Sequence, residues 1–189
     1  MRINHSLIMS GLFLILSISV SHSQIRKPEV FSPNRSDKFL NTEYKSFKLD
    51  TLTNKNLLNK VTLLNFWFAA CKPCMAEMEG LNKLYENYKY NRNFQFFSFC
   101  LDDSATVKRL VAKLNIQYTV FPVSRELAHN LNYNNGYPTT IIINGQGKIV
   151  HISCGGPISP IQCTKQIMTD YTLIIDQELK KLGQSLYVQ

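Results

Sequence analysis

The chain has 189 residues, 44% hydrophobic and 18% charged, a balance that suits one soluble domain with its own core and excludes a disordered or fibrous class. Its formal charge of +8 raises the question of nucleic acid. The 21 Lys and Arg residues are dispersed, however, in runs no longer than a pair such as Lys180-Lys181, so a solvated basic surface is expected and a nucleic-acid partner is not. Attraction to acidic partner proteins or anionic membrane surfaces stays open.

Residues 1–23 read as a signal peptide. Arg2 gives a positive start, Leu7 to Val20 form an apolar run, and Ser21-His22-Ser23 offers small residues for cleavage before Gln24. The apolar run is short against the roughly 20 residues of a bilayer span, so a membrane anchor is the alternative, and the mature domain is not expected to span a membrane. No Cys follows the cut at once, which argues against a lipid anchor. Export, to the periplasm by this reading, places the cysteines in an oxidising compartment.

Residues 24–41 read as an irregular arm, and 42–189 as the folded domain. Tyr44 to Leu49 suggests an edge strand. Val61 to Ala69 (VTLLNFWFA) is a near-continuous apolar run with β-branched and aromatic residues, the pattern of a strand covered on both faces. Met78, Leu81, Tyr85 and Tyr88 then recur at helical spacing, predicting a helix from about Lys72 to Tyr90. Phe94 to Leu101 reads as a second strand, and Asp102-Asp103-Ser104 as the cap of a helix carrying Val107, Leu110, Val111 and Leu114. Thr139 to Asn144 and Lys148 to Ser153 flank Gly145-Gln146-Gly147, a hairpin signal. Ile167, Tyr171, Ile174 and Ile175 begin one face of a last helix. The order strand, helix, strand, helix, hairpin, helix predicts an α/β fold: a mixed central sheet flanked by helices on both faces.

Cys71-Lys72-Pro73-Cys74 falls where the buried strand meets the long helix. A helix start offers unpaired N–H groups and the positive end of the macrodipole, both of which favour a thiolate over a thiol. Lys72 adds positive charge nearby, and Pro73 tolerates an early helical position. Cys71 would then attack a foreign disulfide and Cys74 would resolve the mixed disulfide. Half a zinc site is disfavoured because no second CxxC or His pair stands at ligand spacing. An inert disulfide is disfavoured by the exposed, electropositive position. No metal and no cofactor is expected.

Three blocks in order resemble the thioredoxin-like superfamily, in particular its exported TlpA/ResA-like branch of thiol–disulfide oxidoreductases. They are LLNFWFAACKPCMAEM from Leu63, FFSFCLDDSATVKRLV from Phe96 and GYPTTIIINGQGKIV from Gly136. The resemblance implies a thioredoxin-like fold, with Pro138 as a cis-proline facing the CxxC. It assigns client contact to Tyr137, Pro138 and Trp67. Asn65 stands where thioredoxin has an Asp beneath the CxxC. Glu77 matches a Glu common in the exported branch and would accept the Cys74 proton, against the alternative of a solvent-facing helix residue. The implied activity is reduction of disulfides in exported proteins, apocytochrome c among the suggested clients, with a membrane or periplasmic electron donor recharging the pair. Oxidase or isomerase activity, or a non-catalytic client-binding module, are the alternatives. Peroxiredoxins share the fold but need a Thr where this chain has Phe68, and copper-delivering relatives use CxxxC with a downstream His. His129 and His151 fall outside that context and read as surface or strand residues.

Cys100 lies in an apolar strand and reads as a small buried thiol. Cys154 and Cys163 bracket GGPISPIQ and are candidates for a structural disulfide that would stabilise by about 2–3 kcal/mol. Two free thiols or a second relay are the other options.

Overall fold

The computed structural model describes residues 44–45 and 51–186. The expected signal peptide at 1–23 and arm at 24–41 lie outside the described residues. Two short strands, β1 (Tyr44–Lys45) and β2 (Thr51–Leu52), pair antiparallel as a sheet of their own, so the expected edge strand does not join the main sheet. A 3₁₀ turn at Asn54–Leu57 leads into the main domain.

The main sheet has the order β5-β4-β3-β6-β7. Strands β3 (Val61–Trp67), β4 (Phe94–Cys100) and β5 (Thr119–Pro122) run parallel, while β6 (Thr139–Ile143) and β7 (Ile149–Cys154) form an antiparallel hairpin at the β3 edge. Helix α1 (Lys72–Tyr88) joins β3 to β4, α2 (Ser104–Lys113) joins β4 to β5, and α3 (Arg125–Leu131) follows β5. The chain closes with α4 (Pro160–Gln166), a π-helical turn at Ile167–Tyr171 and α5 (Thr172–Leu186).

Why β3 occupies the centre follows from its side chains. Val61, Leu63 and Trp67 enter one apolar cluster with Met78, Leu81 and Leu84 of α1, while Leu64 and Phe66 enter another with Ala128 and Leu131 of α3. Alternate residues therefore feed opposite faces, and only an unbroken apolar run satisfies both. Strand β4 does the same with Phe94 and Phe96 on one face and Phe97 and Phe99 on the other. Asp103 accepts the Ala105 and Thr106 N–H groups as the predicted cap of α2.

Three elements depart from the sequence expectation. Strand β5 and helix α3 carry no clear sequence signal, because four and seven residues are too few for a firm periodicity. The last helix begins at Pro160, not near Ile167, and the π turn interrupts it. No helix among the described residues is long and apolar enough to cross a membrane.

Candidate active site

The parallel strands deliver their C-terminal ends to one side of the sheet, where ligands of open α/β folds bind. Trp67 ends β3, and Phe68-Ala69-Ala70 carries the chain to α1. Cys71 is the N-cap residue with extended backbone, Lys72 and Pro73 are the first helical residues, and Cys74 follows. The Cys74 N–H donates to Cys71 Sγ at 3.2 Å, so the sulfur occupies the place of a capping oxygen. A thiolate there accepts a charge-assisted hydrogen bond and meets the helix dipole, both of which favour the ionised form. The two sulfurs are bonded, with Cα atoms 5.2 Å apart. Cys71 keeps 6% of its surface and Cys74 none, so Cys71 is the one a partner reaches.

One turn further along α1, Glu77 is 5% exposed, which replaces the solvent-facing alternative with a buried carboxyl. Burial lifts that carboxyl to about 8, and the Asn65 side chain pulls back only part of the rise. The positions that sequence comparison treats as alternatives, Asn65 and Glu77, are thus neighbours. Asn65 belongs to a polar row on the α1 face of the sheet: it lies opposite Ser98 on β4 and Thr140 on β6, and its amide donates to Thr140 Oγ1 at 3.2 Å. Thr140 in turn lies opposite Ser153, whose hydroxyl is 2.8 Å from that of Tyr171 in the π turn. Glu77 Oε2 is buried with no hydrogen-bond partner. Oε1 would lie 3.2 Å from a Cβ placed on Gly156, an exposed residue. A side chain at 156 would crowd this carboxyl, so the missing Cβ lets the loop lie close to it.

The Tyr137–Pro138 peptide is cis, as the resemblance implies. Because Thr139 pairs with Phe66, the two residues before it come beside Trp67 and Phe68 at the end of β3. The loop is fixed locally. Asn132 Nδ2 donates to the Asn135 carbonyl at 2.9 Å, Asn135 Nδ2 returns a bond to the Asn132 carbonyl at 2.7 Å, and Thr139 Oγ1 donates to the Gly136 carbonyl at 2.6 Å. Tyr137 is half-buried, with its ring edge-on to Phe68. Trp67 requires a correction: it is wholly buried, and its indole N–H donates to Ser98 Oγ at 2.7 Å. It braces β3 against β4 beneath the site and presents no surface to a client.

The remaining cysteines differ from one another. Cys100 is the buried thiol expected; it donates to Asp102 Oδ2 at 3.3 Å, and burial pushes it far above an ordinary cysteine. Cys154 and Cys163 are free, so the candidate structural disulfide is absent. Cys154 is exposed at the end of β7, where its Sγ would lie 3.3 Å from a Cβ on Gly136. Cys163 is buried in α4, donates to the Pro157 carbonyl at 3.1 Å, and is pushed upward by burial and secondarily by the charge of Glu77. One sulfur faces outward and the other inward, which is why the spacing alone did not join them. His151 is a strand residue of β7, held below its usual value by burial, and His129 lies on α3. Sequence reasoning missed Asn132 and Asp102 as organisers of the site. The run of asparagines before Gly136 was the available signal for the first. Asp102 accepts the Ala69 N–H at 2.6 Å, a contact with no local pattern behind it.

Residues 36–152 match the model of the AhpC/TSA family. The chain is 28% identical over 134 residues to the thiol-disulfide oxidoreductase ResA of Halalkalibacterium halodurans, covering 68% of this chain and 70% of that protein. It is 33% identical over 100 residues to the ResA of Bacillus cereus, covering 51% of this chain and 56% of the relative, so it spans little more than half of the latter. Among solved structures it is similar to a thioredoxin candidate from Neisseria meningitidis, with a TM-score of 0.59 and 26% identity over 76% of this chain and 87% of that one.

Proposed function

From a chain that belongs to the AhpC/TSA family of thioredoxin-like proteins, we propose a thiol–disulfide oxidoreductase that reduces disulfides of exported proteins through Cys71 and Cys74. The observation that carries the reading is Cys71 Sγ capping α1 while bonded to Cys74, with buried Glu77 one turn beyond. The resemblance to two ResA oxidoreductases supports the same chemistry.

In the reduced protein the Cys71 thiolate attacks one sulfur of a client disulfide. The client S–S bond breaks, the other client sulfur leaves as a thiolate, and a Cys71–client disulfide forms. Cys74 then surrenders its proton to the Glu77 carboxylate and attacks Cys71 Sγ. The Cys71–Cys74 bond forms, and the second client thiolate departs and takes up a proton, which Glu77 can return. Two electrons have passed to the client. A carboxyl lifted to about 8 suits this shuttle, since it holds and releases a proton near neutral pH. Each turnover leaves the pair oxidised, so an electron donor of the membrane or periplasm must recharge it. Residues 1–23 serve as the export signal in this reading. In this reading Tyr137 and Pro138, beside the end of β3, offer backbone groups to an extended client segment.

The test is catalysed insulin reduction by the full chain with dithiothreitol, together with the equilibrium potential of the Cys71–Cys74 couple. A rate above background and a potential near roughly −270 mV are expected. A rate at background with the fold intact sinks the enzyme, and a potential near roughly −120 mV reverses the direction.

A further inference from the structure

We propose that Arg125, with the aromatic wall it caps, selects clients carrying an acidic side chain beside the reactive cysteine. The inference rests on the oxidoreductase reading above and names the chemistry of its clients. Phe68 stands three positions before Cys71 and Tyr137 immediately before Pro138; their rings meet edge-on at 5.5 Å. His129 closes the other side of Tyr137, edge-on at 5.8 Å. The Arg125 guanidinium lies over the Phe68 ring, 5.9 Å from its centroid. Arg125 and His129 are one turn apart on α3, so a single short helix supplies both polar ends of the wall. The Phe68 carbonyl accepts the Cys71 N–H at 3.1 Å, which sets the Phe68 end of the wall beside the reactive pair.

None of the ion pairs among the described residues engages this cation. Asp102 accepts the Ala69 N–H and the Cys100 thiol, and Asp103 caps α2. Glu126 lies in the first turn of α3, where a carboxylate suits the helix dipole. Among the described residues neither Arg125 nor Lys72 has a carboxylate within ion-pair distance. Arg125 is the first residue of α3, where the dipole disfavours a cation, and among the described residues no ion pair offsets that. The cation–π contact with Phe68 places the guanidinium over the ring face while its N–H groups stay available for a bidentate carboxylate. A client segment lying along Tyr137 brings the residues that flank its cysteine over this wall. Lys72, exposed inside the CxxC, adds charge of the same sign.

The test uses two fluorogenic disulfide peptides, identical except for Asp or Lys on either side of the cysteine, reduced by the full chain with dithiothreitol. The Asp peptide is expected to show a kcat/KM about five-fold higher at low salt, carried by KM, with the preference shrinking as salt rises. Arg125→Glu should reverse the preference, and Arg125→Lys should keep its sign at reduced size. Equal kcat/KM for both peptides, or a preference that survives Arg125→Glu, overturns the inference while leaving the oxidoreductase intact. Loss of exchange with insulin and both peptides alike brings down the underlying reading and this inference with it.

Discussion

Cys71 and Cys74 stand at the first turn of α1 and are bonded, whereas Cys154 and Cys163 stand at the two ends of the segment from β7 into α4 and are free. Both pairs are close in sequence, and both have one sulfur more exposed than the other. What separates them is the backbone beneath. At the helix start two positions three apart face the same way, and a free N–H points at the first sulfur. Across the Gly155-Gly156 loop nothing aligns the two side chains: Cys154 follows the outward pleat of an edge strand, and Cys163 follows the inward face of a helix. Reactivity therefore comes from an electropositive helix tip more than from the number of thiols nearby.

Serine substitution tests that contrast most directly. Cys71→Ser and Cys74→Ser should each reduce insulin turnover to the dithiothreitol background, while Cys154→Ser and Cys163→Ser should leave it unchanged. Loss of turnover on replacing Cys154 would make the second pair part of the catalytic cycle and end the comparison. Next in size is Glu77→Gln. The resolving step, followed by rapid mixing and acid quench, should slow about 10²-fold. In the wild type that step should quicken as pH rises through about 8, and the variant should lose the rise. Stability moves with the opposite sign. The folded carboxyl keeps its proton up to about 8 and the unfolded one releases it near 4.5, so folding binds a proton between these values and stability falls as pH rises. The Gln variant escapes this loss, worth on the order of a few kcal/mol at full extent. Its thermal midpoint should exceed that of the wild type at pH 9 by more than at pH 5. Equal differences at the two pH values would mean that Glu77 does not titrate as its burial requires.

Much of the centre of this molecule was legible in the amino-acid sequence because burial leaves strong traces. Val61 to Trp67 could be placed inside the sheet, since only a doubly covered strand needs apolar residues on both faces. The CxxC could be placed at a helix start, since a buried strand ends just before it and helical spacing begins just after. Glu77 was legible as a candidate, but its burial was not, because groups that approach its carboxyl, such as Gly156, lie far along the chain. Trp67 was misread for the same reason. A tryptophan beside an active site suggests a contact surface, and only the pairing of β3 with β4 shows its N–H taken up by Ser98. Strand β5 and helix α3 are too short to leave a periodic trace, so nothing in the sequence marks Arg125 as bordering the site.

Alkylation compares Cys154 and Cys163 by a smaller margin. In the folded protein iodoacetamide should label Cys154 readily and spare Cys163, whose thiol is buried and held by the Pro157 carbonyl. Mass spectrometry of native and unfolded samples reads the difference, and equal labelling would place Cys163 at the surface. Gly80 shows what keeps that thiol sheltered. A Cβ on Gly80 would come within 2.9 Å of both Thr164 Cα and Ile167 Cδ1, so α1 and α4 touch almost backbone to backbone here, one residue from Cys163. Gly80→Ala would gain about 1 kcal/mol in helix propensity. It would also drive a methyl group into a backbone atom that cannot rotate aside, at about 1–3 kcal/mol. Overpacking should win, lowering the thermal midpoint modestly and loosening α4 on α1. Cys163 should then label faster while Cys154 labels as before. A variant as stable as the wild type, with Cys163 still protected, would show that α4 can shift without opening, and the shelter would have to be credited to Pro157 instead.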